Sequence, residues 1–140
     1  MTRDGLAAAC ERYLACFEAL DVDGLLALAA DDAVLRFPYA TGLAPDELRG
    51  VAAIRDYLTE SYTNFEQLTV SERNVVVDAD AMVTVVRMIG RFALRTGGEY
   101  TNNYVHIATW NDAGELVELA EYFNPYNTAR AFGALDALSR

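Results

Sequence analysis

No run of eighteen apolar residues occurs in the chain, so the sequence offers no candidate for a membrane-spanning helix. Basic residues are scarce too, 11 against 21 acidic ones, giving a net charge of -10. Nucleic acids and anionic membranes are gripped through basic patches, so neither is expected as a partner. Cysteine is limited to Cys10 and Cys16, which on one helix point in different directions. They read as free thiols of a reducing cytoplasm. A single histidine, His106, and no clustered Cys/His spacing leave no metal site to expect. Gly-x-Gly-x-x-Gly, P-loop and Gly-x-Ser-x-Gly patterns are missing, so no cofactor is indicated. The start, "MTRDGLAAACERY", lacks the basic opening and long apolar centre of a secretion signal. Cofactor-free acid/base chemistry on a small molecule is what remains.

What is present suits one domain over residues 1–140, with 53% hydrophobic residues for its core. Leu6, Cys10, Tyr13, Phe17 and Leu20 recur at spacings of three and four, predicting an amphipathic helix. Asp21 or Asp23 caps a short second helix, "GLLALAA". "AVLRF" reads as a strand stopped by Pro38, and "VAAIRDYLTESY" as a third helix. Four strand-like runs follow, joined by "DAD", "TGG" and "NDAG", all plausible hairpin turns. The tail "YNTARAFGALDALSR" is a candidate last helix. The expected class is α+β, with three N-terminal helices packed on one face of a curved antiparallel or mixed sheet.

One stretch raises a chemical question. In "VELAEYFNP" the strand period puts Val117, Leu119, Glu121 and Phe123 on one face. Helices cover the concave face of such a meander, so this apolar row is the inner one and Glu121 sits in it. Desolvation raises a carboxyl's pKa toward neutrality, where it serves as general acid or base. The competing role is a structural glutamate paired with an arginine. If "NDAG" is a four-residue turn, Trp110 pairs with Glu115, Tyr104 lies opposite Glu121, and His106 opposite Leu119 on the same face. A Glu–His pair then passes a proton to and from a substrate. A one-residue bulge instead turns His106 outward. Tyr13 belongs to the apolar stripe of the first helix, so its buried hydroxyl needs a partner.

The order helix–helix–strand–helix–four strands resembles the cone-shaped ketosteroid-isomerase and SnoaL-like superfamily. So do "ERYLACFEALDVDGLLALAADDAVLRF", "LRGVAAIRDYL" and "GELVELAEYFNP", over about Glu11 to Pro125. The ending "EYFNP" is similar to the phenazine-biosynthesis A/B proteins, which implies an acid/base role for Glu121. Against the isomerases, Tyr13 falls where the oxyanion-stabilising tyrosine stands. Tyr57, Phe37, Tyr39 and Phe123 are expected as aromatic pocket walls, with Tyr104 and Leu119 beside Glu121, and Arg87 as a further inward candidate. Two departures limit the resemblance. Phe37 stands where the isomerases carry their aspartate base. Arg87 is followed by Met88 and Ile89 and not by the aspartate of the epoxide-hydrolase type. The expectation is a small-molecule cyclase, isomerase or dehydratase of natural-product metabolism, cytoplasmic and homodimeric. A non-catalytic binding subunit and an epoxide-opening enzyme are the alternatives.

Overall fold

The computed structural model describes residues 1–138. Its elements run α1 (Arg3–Glu18), α2 (Val22–Ala27), β1 (Ala29–Arg36), β2 (Glu47–Arg49), α3 (Val51–Tyr62), β3 (Phe65–Asp78), β4 (Val83–Leu94), β5 (Glu99–Trp110), β6 (Leu116–Phe123) and α4 (Pro125–Ala131). A single 3-10 turn, Leu135–Ala137, follows. The α+β class is borne out, with the helices packed on a six-stranded curved sheet ordered β2-β1-β6-β5-β4-β3. Among the described residues only the β1/β6 pairing is parallel, so the chain's first long strand closes against its last.

Local chemistry accounts for the helix ends. The Thr2 hydroxyl accepts from the Gly5 amide at 3.0 Å, and the Asp21 carboxylate from the Gly24 amide at 2.9 Å. The predicted stripe of α1 is the buried one, with Leu6, Cys10, Tyr13 and Phe17 all in the core. Asn124 caps α4, and Pro125 occupies its first turn, where no amide hydrogen is needed. Gly50 enters α3 at φ +87°, a left-handed conformation that favours glycine.

Three boundaries differ from the sequence reading. The second helix ends at Ala27, because Ala29 and Ala30 join β1. The loop after Pro38 contains β2, which pairs with β1. The tail helix stops at Ala131. Along β5, Tyr100, Asn102, Tyr104, His106, Ala108 and Trp110 are all buried while their neighbours are half-buried or exposed. This two-residue alternation defines the inner face, over which α1 and α3 lie. Both cysteines are free, Cys10 in the core and Cys16 half-buried. Among the described residues, no helix is long and apolar enough to cross a membrane.

Candidate active site

The β5/β6 hairpin sets the site, and its register differs from the expected one by two steps. The turn closes between Asn111 and Glu115, so Trp110 pairs with Leu116 and not with Glu115. One further residue is then inserted on β6, so Thr109 pairs with Glu118. Each step alone would invert the faces of β6; together they restore them. His106 therefore faces inward, but directly opposite Glu121, while Tyr104 stands opposite Phe123. The expected pairs, His106 with Leu119 and Tyr104 with Glu121, are corrected by this double shift. Leu116 takes the buried place assigned to Val117.

Between the sheet and the helices lies a cavity of about 240 Å³. A smaller chamber of about 50 Å³ adjoins it, lined by Tyr13, Leu26, Leu116 and Leu119 among others. Glu121 lines both spaces, with Phe17, Leu58 and Tyr62 shared alongside it. Phe37, Tyr57 and Phe123 form one aromatic wall, Phe37 lying 5.4 Å from Tyr57 and 6.3 Å from Phe123 between ring centres. Tyr104 lines the cavity too. No group of three or more potential metal ligands converges among the described residues.

Charge in the site is governed by burial. Desolvation pushes the Glu121 carboxyl up to about 7. The same cause pushes His106, fully buried, down to about 3, so its imidazole is neutral at physiological pH. His106 is wedged between the edges of Phe17, at 5.0 Å, and Tyr104, at 5.7 Å. Its Nδ1 is hydrogen-bonded to the Tyr13 hydroxyl, and its Nε2 lies 3.8 Å from a Glu121 carboxyl oxygen. That distance is too long for a direct hydrogen bond, and Nε2 has no other partner among the described residues. With its proton on Nε2, the ring accepts from Tyr13 and turns a positive N–H edge toward Glu121. Burial also raises the phenols of Tyr13, Tyr57, Tyr62, Tyr100 and Tyr104, and the Glu121 charge adds to each shift. These tyrosines are neutral donors, and among the described residues Glu121 is the one cavity-lining group placed to exchange protons near pH 7.

The other expected residues separate cleanly. Arg87 is corrected: it lies on the outer face of β4, exposed, with Val86 and Met88 turned inward on either side of it. Tyr39 is also corrected, being 57% exposed in the loop after β1 and packed edge-on against Tyr122. Leu119 lines the smaller chamber and not the main cavity. The arginine-paired glutamate of β6 is Glu118, 2.8 Å from Arg36 on the outer face, so that structural role does not fall to Glu121.

A family model for the SnoaL-like domain matches residues 10–119. The chain belongs to the SnoaL-like family. The match stops two residues short of Glu121, so the family assignment rests on the rest of the fold. Among curated proteins, this SnoaL-like chain is 27% identical over 129 residues to the uncharacterized protein YesE of Bacillus subtilis (strain 168), covering 89% of this chain and 87% of YesE. A solved Bacillus subtilis structure matches with TM-score 0.84 and 25% identity, over 96% of this chain and 97% of the other. BvnE pinacolase from Penicillium brevicompactum shares the fold at TM-score 0.82 and 17% identity, over 96% of each chain.

Several cavity residues of this SnoaL-like protein escaped the sequence reading: Tyr62, Phe65, Phe92, Tyr100 and Thr128. Tyr100 was within reach, since it lies four residues before Tyr104 on one strand face. Two stability outcomes follow from the placements. Phe37 is 4% exposed, so Phe37→Ala is expected to cost about 3–5 kcal/mol in chemical denaturation. Arg87→Ala is expected to change stability by no more than about 0.5 kcal/mol. A larger loss from Arg87→Ala, or a neutral Phe37→Ala, would mean that these faces are wrongly assigned.

Proposed function

We propose that this protein is a cofactor-free acid/base enzyme that enolises a neutral, flat, polyketide-like or aromatic ketone in the course of a cyclisation, isomerisation or dehydration. The observation that carries this reading is a single carboxyl, raised to about 7, set in the wall of an aromatic cavity. No arginine or histidine lines that cavity among the described residues, so an anionic ligand would meet no counter-charge there. Membership of the SnoaL-like family supports small-molecule cyclase or isomerase chemistry of this kind.

In this reading, the Glu121 carboxylate takes a proton from the carbon beside the carbonyl. The C–H electron pair becomes the enolate double bond, and the carbonyl oxygen takes the charge. The carboxyl then returns its proton to the same carbon or to another. His106 touches no ligand; it positions Glu121 and is itself held by Tyr13. The half-buried outer face of Val85, Ile89, Val105, Ile107 and Tyr122 suits a second copy of the chain, so a homodimer is part of the reading. A monomeric mass in light scattering at micromolar concentration would remove that part.

The central test is deuterium uptake by 1-tetralone in D₂O. Uptake beside the carbonyl should be accelerated by the protein, with kcat/KM rising about tenfold per pH unit below about 7 and levelling above it. Binding of 1-tetralone without accelerated exchange would reject the enzyme reading in favour of a binding protein.

A further inference from the structure

The cavity wall opposite the outer sheet face carries a second polar feature, away from Glu121's imidazole contact. Asn102, 1% exposed, fixes it. Its side-chain oxygen accepts from the backbone amides of Asn103, at 2.8 Å, and Asn124, at 3.0 Å. Its amide nitrogen donates to the Tyr100 hydroxyl at 2.7 Å, the Asn124 carbonyl at 2.9 Å and the Thr128 hydroxyl at 3.1 Å. Tyr100 is further bonded to Thr128 at 2.7 Å and to Tyr104 at 3.0 Å. The tyrosines come from β5 and Thr128 from α4, and all three line the main cavity.

Counting protons gives this cluster a direction. Three hydroxyls bring three protons, but only two oxygen–oxygen contacts join them. Asn102 supplies N–H donors, and its one acceptor oxygen is already taken by two backbone amides. Whichever way the hydroxyls point, one O–H is left over. With Tyr104 donating to Tyr100, the spare proton is on Thr128 when Tyr100 donates onward, and on Tyr100 when Thr128 donates back. No protein acceptor takes it among the described residues, and each of its possible carriers faces the cavity. The amide donors behind Tyr100 and Thr128 polarise these hydroxyls and make the outermost one a better donor.

We infer that Tyr100, Tyr104 and Thr128, braced by Asn102, form a one-donor subsite that holds a carbonyl or phenolic oxygen of the ligand. The inference rests on the reading of the main cavity as the substrate site. Burial keeps both phenols neutral, so the subsite donates a hydrogen bond and surrenders no proton. It therefore selects ligands with an acceptor oxygen over hydrocarbons of the same shape. It also places that oxygen at the α4 end of the cavity, while Glu121 addresses the carbon skeleton.

The test uses 1-tetralone and its oxygen-free match, tetralin, with wild type, Thr128→Val, Tyr104→Phe, the triple variant Tyr100→Phe/Tyr104→Phe/Thr128→Val and Thr128→Ser. Two readouts are taken, affinity by titration calorimetry and the carbonyl stretch of bound 1-tetralone. In wild type the stretch should lie below its value in an apolar solvent. In the triple variant, which leaves no hydroxyl in the cluster, it should return to that value, with 1-tetralone affinity down about tenfold, the weight of one neutral hydrogen bond. Tetralin affinity should stay within about twofold of wild type, and Thr128→Ser should retain the wild-type stretch. A stretch unmoved by the triple variant overturns the subsite and leaves Glu121-dependent exchange standing. Failure of both probes to bind wild type overturns the substrate-cavity reading together with the subsite.

Discussion

Glu121→Gln is expected to leave the protein folded and to lower turnover on the order of 10²–10⁴-fold, the usual weight of general acid–base catalysis. Glutamine keeps the length and shape of the side chain and removes the titrating group. The protein should tolerate the loss because, among the described residues, Glu121 is paired with no charged cation. The basic side chain beside it is His106, neutral and 3.8 Å away, while Arg36 and Arg87 lie on the outer face. A glutamate buried against an arginine would behave differently, since its neutralisation strands a buried charge at roughly 3–5 kcal/mol. Circular dichroism and a thermal melt report the fold, and the initial rate of 1-tetralone exchange reports the chemistry. A variant that is folded and fully active would remove Glu121 from the reaction. An unfolded one would show that the carboxyl has a structural partner.

How far the sequence shows this site can be seen at single residues. Glu121 stood out because a carboxylate in the apolar row of a strand contradicts its surroundings, and local periodicity is enough to detect that. Its partners were harder, because they depend on register. A tight hairpin hides two separate one-residue shifts, one in the Asn111–Glu115 turn and one at Val117, and neither leaves a composition signal. They cancel in parity, so the inward direction of His106 was right although its partner was not. Arg87 failed for a related reason. Val85 and Ile89 make the outer face of β4 apolar enough to disguise which side is inside. The far cavity wall depends on longer-range pairing: Phe92 meets Tyr100 only through the β4/β5 register. Thr128 reaches the wall because Asn102 ties α4 to β5. A stripe on one helix can be read locally, as α1 was; a wall assembled from β4, β5 and α4 cannot.

The buried pair also makes a prediction about pH and stability, separate from any substrate. The Glu121 pKa rises from 4.5 unfolded to about 7 folded, because burial disfavours the carboxylate. Its contribution to stability is therefore complete below pH 4.5 and is lost as pH rises through about 7. The His106 pKa falls from 6.5 to about 3, because burial disfavours the imidazolium. Its contribution is complete above pH 6.5 and is lost as pH falls through about 3. Between 4.5 and 6.5 the two slopes oppose and cancel, so the pair contributes a plateau there with a decline on either side. Other carboxylates titrate over the same range, but they are shared by wild type and variant and drop out of the difference. The stability of Glu121→Gln relative to wild type should thus grow between pH 4.5 and 7. A window of about 2.5 pH units at about 1.4 kcal/mol each makes that growth about 3.5 kcal/mol. For His106→Gln the gain should appear on the acid side, growing by about 5 kcal/mol as pH falls from 6.5 to 3. Urea denaturation across pH 3–8 measures both differences directly. A Glu121→Gln difference that is flat with pH would show that the carboxyl ionises as freely as in water, and the base would then have to be sought elsewhere in the cavity.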